Sequence, residues 1–221
     1  MDSTSSTPKY TKGEEIFNMV SHIVGGGLGI VALLVCVIVA AFAQHIWGVI
    51  GGLVYGFSVV LLFTMSSLYH GLRPGSTAKR VFRVLDHCTI FVLIAGTYTP
   101  IVLGRFREVY PVDAWVIFGL IWGIAAIGIA LNSINLRKFM KVSLVCYLVM
   151  GWVIVFRIDR LISVLGQQFF TLILAGGILY TIGVVFYALG RRKKYMHSVF
   201  HLFVLVASVL HSIAIAVFVM P

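Results

Sequence analysis

The chain has 221 residues and a formal net charge of +10, and 60% of its residues are hydrophobic while only 11% are charged. Soluble domains are typically about 45–50% apolar and about 25% charged, so a soluble fold of this length is excluded. The Lys and Arg residues stand in short clusters between apolar runs, an arrangement that sets membrane topology. We therefore expect an all-α membrane protein with no nucleic-acid partner.

Seven apolar segments follow a polar, Ser/Thr-rich start. We expect residues 1–13 to be a flexible polar tail and residues 14–221 to be a single transmembrane domain. Most segments approach the ~20 residues that cross a ~30 Å hydrocarbon core, and a helix satisfies its own backbone in lipid. The predicted helices are 19–43, 47–69, 85–103, 114–134, 142–156, 169–189 and 197–219.

The Lys and Arg residues are divided unequally between the two ends of these segments. Thirteen lie in the tail and in the loops after segments two, four and six, whereas four lie on the other side. Because positive residues concentrate on the cytoplasmic side, we expect a seven-transmembrane helix bundle with a cytoplasmic N-terminus and an outside C-terminus. The first segment is longer than the ~7–15 apolar residues of a signal peptide, so we expect it to stay uncleaved.

Polar residues mark one face of the first helix. Glu15, Asn18 and His22 share this face through their spacing of three and seven residues. Under the predicted topology they lie at the cytoplasmic end. They could support a bound ion, gate the entry of a substrate, or simply hold helices together.

Three further helices bring ionisable side chains to the same end. His70 closes the second helix, Asp86 opens the third, and His197 and His201 open the seventh. Three neutral imidazoles form the ligand set of a catalytic zinc site, in which a bound water has a pKa near ~7. Asp86 could accept the proton of that water, and Ser66, one turn below His70, could hydrogen-bond an oxyanion. The histidines could instead lie among lipid headgroups, since a single H-x-x-x-H is weak evidence of a metal.

The remaining histidines and the cysteines predict no second site. His87 points away from Asp86 and is expected to pack or to face headgroups, and His45 looks incidental. His211 lies ~21 Å deeper than His197 along the helix, so a hydrogen bond between helices is expected. The cysteines are odd in number and form no C-x-x-C, which indicates neither disulfides nor a thiolate zinc site: Cys36, Cys88 and Cys146.

Four stretches together resemble the hemolysin III family. They are "EEIFNMVSH" (14–22), "SSLYH" (66–70), "LDHCTIFVLIAGTYTP" (85–100) and "HSVFHLFVLVASVLH" (197–211). The resemblance runs from residue 14 to about residue 215. That family is the bacterial branch of the progestin and adiponectin Q receptors, and it belongs with the alkaline ceramidases in a wider group of proposed membrane hydrolases.

The resemblance implies a seven-helix bundle that holds Zn²⁺ near the cytoplasmic face. The three histidine ligands of the family match His70, His197 and His201, and its Ser and Asp match Ser66 and Asp86, the Asp usually meeting zinc through water. By analogy we expect a zinc-dependent hydrolase of a lipid amide or ester, which would tune the composition of a bacterial plasma (inner) membrane. Membrane lipids are then the expected substrates or ligands.

Other functions stay open at this point. Zinc could merely join helices two, three and seven in a non-enzymatic sensor or receptor, which direct binding of Asp86 would favour. A haemolytic pore-former is less favoured, because an inside-positive set of uncleaved helices is typical of a resident membrane protein. A zinc transporter would have only His211 along its path. Iron or manganese could also occupy His and Asp ligands.

Overall fold

The computed structural model describes residues 10–221, so most of the predicted tail, residues 1–9, lies outside the described residues. Within that range the chain is helical and contains no strand. A π-helical turn, Val102–Phe106, follows the third helix, and a 3₁₀ turn, Val153–Arg157, follows the fifth. The helices are α1 (Lys12–Phe42), α2 (Ile46–Gly71), α3 (Thr77–Ile101), the single turn α4 (Arg107–Val109), α5 (Pro111–Trp152), α6 (Ile158–Leu189) and α7 (Met196–Phe218).

Two helices begin earlier than their apolar segments because a side chain caps each of them. Thr11 accepts a hydrogen bond from the Glu14 backbone N–H at 3.3 Å, and the Glu14 carboxylate accepts one from the Thr11 N–H at 2.8 Å. This capping box starts α1 at Lys12. Ser76 likewise accepts from the Lys79 N–H at 3.1 Å and starts α3 at Thr77. Both extensions carry polar residues to the same end of the bundle.

Five helical stretches within residues 10–221 are long and apolar enough to cross a membrane. Four of them correspond to α1, α2, α3 with its following turns, and α7. The fifth is Pro111–Leu189, which contains three of the seven predicted segments. Helical geometry breaks there at Asn135 (φ −159°, ψ 88°) and at Gly166, whose φ of 84° suits a residue without a Cβ.

The outer faces of the helices are apolar. Ile23 and Val31 on α1 are 56% and 57% exposed, and Val116 and Ile127 on α5 are 62% and 63% exposed. Apolar surface of this extent is typical of contact with lipid. The predicted class, an all-α membrane protein, is confirmed.

Helix α3 is the most enclosed of the long helices and carries an almost continuous buried run from Leu93 to Ile101. Close approach of its neighbours depends on small residues. A Cβ at Gly96 would lie 2.3 Å from the Ser58 Oγ on α2, and one at Gly128 on α5 would lie 2.1 Å from the Phe91 ring. Packing around α3 thus fixes the ends of the helices that carry the polar residues.

Candidate metal centre

Three buried histidines converge at one end of the bundle. His70 comes from the end of α2, and His197 and His201 come from the first two turns of α7. One ring nitrogen of each lies within 4.8 Å of the others. The Nε2 atoms of His197 and His201 are 3.0 Å apart. The structure therefore brings together the three residues that the sequence predicts as metal ligands.

Glu15 holds His70 in place. Its carboxylate accepts a hydrogen bond from His70 Nδ1 at 2.6 Å and forms an ion pair with Lys79 Nζ at 2.9 Å. Lys79 also donates to the backbone carbonyls of His70 and Leu72. With Nδ1 of His70 committed to a carboxylate, its Nε2 is the nitrogen left to face the other two rings.

His22 stands beside His201 in a similar way. Its Nε2 lies 2.6 Å from His201 Nδ1, and its ring packs edge-on against Phe63 at 4.9 Å between centroids. Asn18, one turn earlier on α1, is fully buried, and neither of its amide atoms has a hydrogen-bond partner within residues 10–221. The predicted face of α1 thus meets two of the three histidines through Glu15 and His22, and Asn18 lies in the same buried layer.

The arrangement fits a metal with a preference for imidazole. His70 Nε2 is buried and has no hydrogen-bond partner within the described residues, which is costly unless another group binds it. A tetrahedral zinc with Zn–N bonds of ~2.0–2.1 Å places its ligand nitrogens about 3.3 Å apart. The observed separations, 3.0 Å and at most 4.8 Å, bracket that value. A carboxylate on the second nitrogen of a ligand histidine, as Glu15 provides, is the usual support of such a site.

Asp86 and Ser66 reach the same space without joining the histidine group. A cavity of about 190 Å³ runs along the interior faces of α3, α5, α6 and α7, and its lining includes Ser66, Asp86, His197 and His201. Ser66 is 2% exposed, and the Asp86 side chain is 16% exposed. The group of mutually close ligand atoms found within residues 10–221 contains histidines alone, so Asp86 is not among them.

Tyr10 covers the histidines where α1 begins. Its ring stacks on His197, with centroids 4.7 Å apart and planes at 17°, and it lies 5.7 Å from the ring of His70. Burial raises the pKa of the Tyr10 phenol above its ordinary value, so the hydroxyl keeps its proton at neutral pH. The Glu14 carboxylate accepts from the Tyr195 N–H at 2.6 Å and ties this segment to the start of α7.

The remaining histidines take supporting roles. His87 Nδ1 donates to the Arg83 carbonyl at 2.9 Å, and its Nε2 lies 3.3 Å from the Tyr187 hydroxyl. His211 Nε2 donates to the Ile173 carbonyl on α6 at 3.1 Å, which confirms the predicted hydrogen bond between helices. Neither ring belongs to the histidine group.

A model of the Haemolysin-III related family matches residues 10–212 of the chain. The chain belongs to the haemolysin III family. It is 38% identical to Hemolysin-3 of Bacillus cereus over 208 residues, which cover 94% of this chain and 93% of that protein. It is 35% identical to the Hemolysin-3 homolog of Bacillus subtilis (strain 168) over 196 residues, 89% and 90% of the two chains. The human Monocyte to macrophage differentiation factor is 29% identical over 176 residues, 76% of this chain and 70% of that one.

Sequence reasoning missed three residues near the centre of this haemolysin III protein. Tyr10 was assigned to the tail, although the T-K-G-E stretch at Thr11–Glu14 is a readable capping box that predicts a helix start beside it. The sequence presents Lys79 and Arg83 only as topology-setting charges. Lys79 pairs with Glu15 on another helix, and the Arg83 guanidinium has no hydrogen bond or ion pair within the described residues, so no local pattern reports either position.

Proposed function

We propose that this haemolysin III protein is a zinc-dependent hydrolase acting on an amide or ester bond of a membrane lipid. The observation that supports it is the group of three buried histidines, which excludes Asp86 but of which His197 and His201 line one cavity with Asp86 and Ser66. Structural zinc sites are closed by four protein ligands, whereas catalytic ones have three and leave one position for water or substrate. The set found here is of the second type.

His70, His197 and His201 are the residues that would hold the metal. Bound zinc would supply a coordinated water of lowered pKa and a positive centre that polarises a carbonyl. Glu15 and His22 keep two of the rings oriented through their Nδ1 atoms, at 2.6 Å in both cases. A nitrogen that binds a metal must be unprotonated. These contacts keep the proton of each ring on Nδ1 and leave Nε2 free to bind.

The chain's own groups account for the movement of protons. Hydrolysis forms a bond from the water oxygen to the carbonyl carbon and breaks the bond from that carbon to nitrogen or oxygen. Asp86 takes a proton from the water and gives it to the leaving amine or alkoxide, and the Ser66 hydroxyl donates to the oxyanion. The apolar walls of the cavity would bind the acyl chain and keep bulk water away from the reacting bond.

We also propose seven membrane crossings with the histidine group on the cytoplasmic side of a bacterial plasma membrane. As a straight helix the 79 residues of Pro111–Leu189 would be about 118 Å long, roughly four times the ~30 Å of hydrocarbon. The breaks at Asn135 and Gly166 are where that stretch can turn back. The positive-inside distribution of Lys and Arg supports the orientation.

The first experiment compares metal content in purified wild type, His197→Ala and His45→Ala, measured by mass spectrometry. We expect about one zinc per chain in wild type and in His45→Ala, because His45 lies outside the histidine group, and little zinc in His197→Ala. The same samples are then tested for hydrolysis of lipid amides and esters. Asp86→Asn is expected to keep its zinc and to lose most turnover, by about 100-fold or more.

Two outcomes would contradict the proposal in different ways. Equal, near-zero metal in all three proteins would remove the zinc site. Stoichiometric zinc without any turnover that depends on His201 and Asp86 would leave a structural metal in a non-enzymatic sensor or receptor.

A further inference from the structure

Arg83 is a cation that lines the cavity of the histidine group. It lies one turn before Asp86 on α3, and its side chain is partly buried and forms part of the cavity wall. Its backbone carbonyl accepts a hydrogen bond from His87, but its guanidinium makes no hydrogen bond or ion pair within residues 10–221. The five N–H donors of the Arg83 guanidinium therefore border the cavity without a protein acceptor in that range.

The other cations held within the fold of the described residues have partners. Lys79, one turn earlier on the same helix, pairs with Glu15 at 2.9 Å and donates to two backbone carbonyls. At the opposite end the half-buried Arg160 pairs with Asp113, and the half-buried Arg107 donates to the Leu103 carbonyl at 3.2 Å. Arg83 lies just before the predicted apolar segment 85–103 and borders the cavity without such a partner, which leaves its guanidinium open to an anionic ligand.

Two tyrosine hydroxyls belong to residues that line the same cavity as Arg83. Tyr10 and Tyr69 line the same cavity, and neither hydroxyl makes a hydrogen bond within residues 10–221. The wall of the cavity therefore offers one guanidinium and two phenol hydroxyls as hydrogen-bond donors.

Deeper in the membrane the lining of the same cavity is mostly apolar, although Thr97, Tyr180 and His211 also border it. Along α3 it continues from Arg83 to Ile90, Ile94 and Ile101, and Leu148 and Ile173 close it from α5 and α6. Ile94 lies about 16 Å deeper than Arg83, which is about half of the ~30 Å hydrocarbon thickness. A ligand that fits has a charged head and one long apolar chain.

We propose that Arg83 is an anion subsite that binds the phosphate or carboxylate headgroup of an amphiphile whose acyl chain enters the cavity. The planar guanidinium pairs with two oxygens of such a group at once, which a lysine does not do. The subsite implies that anionic lipids are the substrate class of the proposed hydrolase. This assignment of a substrate rests on the proposed function.

The test measures binding of radiolabelled decyl phosphate to the purified full-length protein in neutral detergent. We expect Arg83→Gln to weaken binding by about tenfold or more, and Arg83→Lys to weaken it less because the charge is kept and the fork is lost. Arg137→Gln, an exposed arginine at the same end of the bundle, is the matched control and should bind like wild type. Decanol should bind equally to all four proteins, since it has the same chain and no anionic group.

Equal binding of decyl phosphate by Arg83→Gln and Arg137→Gln would overturn the subsite. Competition by inorganic phosphate at the same concentration would overturn the headgroup assignment in favour of a free anion. Zinc is measured on the same samples to separate the two proposals. If the purified protein lacks zinc but binds decyl phosphate in a way that depends on Arg83, only the hydrolase proposal is contradicted. If it contains zinc but its binding of decyl phosphate does not depend on Arg83, only the subsite is contradicted.

Discussion

Glu15 connects three parts of the chain through one carboxylate. One oxygen accepts from His70 on α2 at 2.6 Å, and the other pairs with Lys79 on α3 at 2.9 Å. The His70 and Lys79 side chains are 0% and 8% exposed, so both interactions are sheltered from water. The carboxylate therefore sets the orientation of one ring of the histidine group and also neutralises a buried ammonium group.

Glu15→Gln is expected to lower zinc affinity by about 10–100-fold, the usual effect of losing the group that orients a ligand histidine. The neutral amide accepts the His70 proton more weakly and leaves Lys79 without a countercharge. Competition with a chromophoric chelator measures the affinity. Glu108→Gln serves as the control because that side chain is 57% exposed and lies at the other end of the bundle. Equal affinities in the two variants would show that Glu15 does not support the metal.

At the residue scale, sequence predicts the chemistry of this centre better than its connections. Residue type and helical spacing are enough to select His70, His197 and His201, because buried imidazoles at one depth have few other uses in a membrane. The ring nitrogen of His70 and of His201 that is free to bind a metal depends on Glu15 and His22. These two residues lie 55 and 179 residues from the histidines that they contact. Such contacts come from tertiary packing and leave no local periodicity in the sequence.

Helices α1 and α2 approach each other through glycine. A Cβ at Gly25 would lie 2.5 Å from the Phe63 ring, and one at Gly56 would lie 2.5 Å from Leu33. Phe63 is 1% exposed and also packs edge-on against His22. Close contact between these two helices therefore positions a ring that touches the metal centre.

Gly25→Ala is expected to destabilise the protein by about 1–3 kcal/mol, because the added methyl meets a fully buried ring that has no room to move. Gly27→Ala, two residues away in the same GGG run, meets nothing within 4 Å. That change should be neutral or stabilising by up to ~1 kcal/mol, since Ala favours helix over Gly. Thermal melts of the two variants in one detergent make the comparison. Equal melting temperatures would contradict the close contact at Gly25.

At the scale of elements, hydropathy predicts that helices exist and misjudges where they end. The early starts of α1 and α3 come from Thr11 and Ser76, whose caps extend each helix beyond its apolar core. The breaks at Asn135 and Gly166 are backbone conformations of single residues. An average over ~19 residues of hydropathy cannot resolve them.

The whole molecule has its basic loops and its histidine group at the same end. If Pro111–Leu189 folds back twice, Lys138 faces the cytoplasm and Asp159 faces outward. Single cysteines at Thr77, Lys138 and Asp159, in a chain whose native cysteines are replaced by Ala, test this with a membrane-impermeant maleimide on intact cells. We expect labelling at Asp159→Cys alone, and labelling of the other two only after permeabilisation, because basic loops stay inside. Labelling of Lys138→Cys from outside would contradict the seven crossings.

The ties between α1 and the start of α7 have a consequence for biosynthesis. Glu14 meets the Tyr195 backbone across 181 residues, and His22 meets His201 across 179. At a synthesis rate of ~5–20 residues per second, about 10 to 40 s separate the translation of the two halves of each pair. During that interval Glu14, His22 and His70 are already made, while the residues that they contact at the start of α7 are not. A ribosome that stops before α7 thus leaves a nascent chain with unmatched polar groups among its helices.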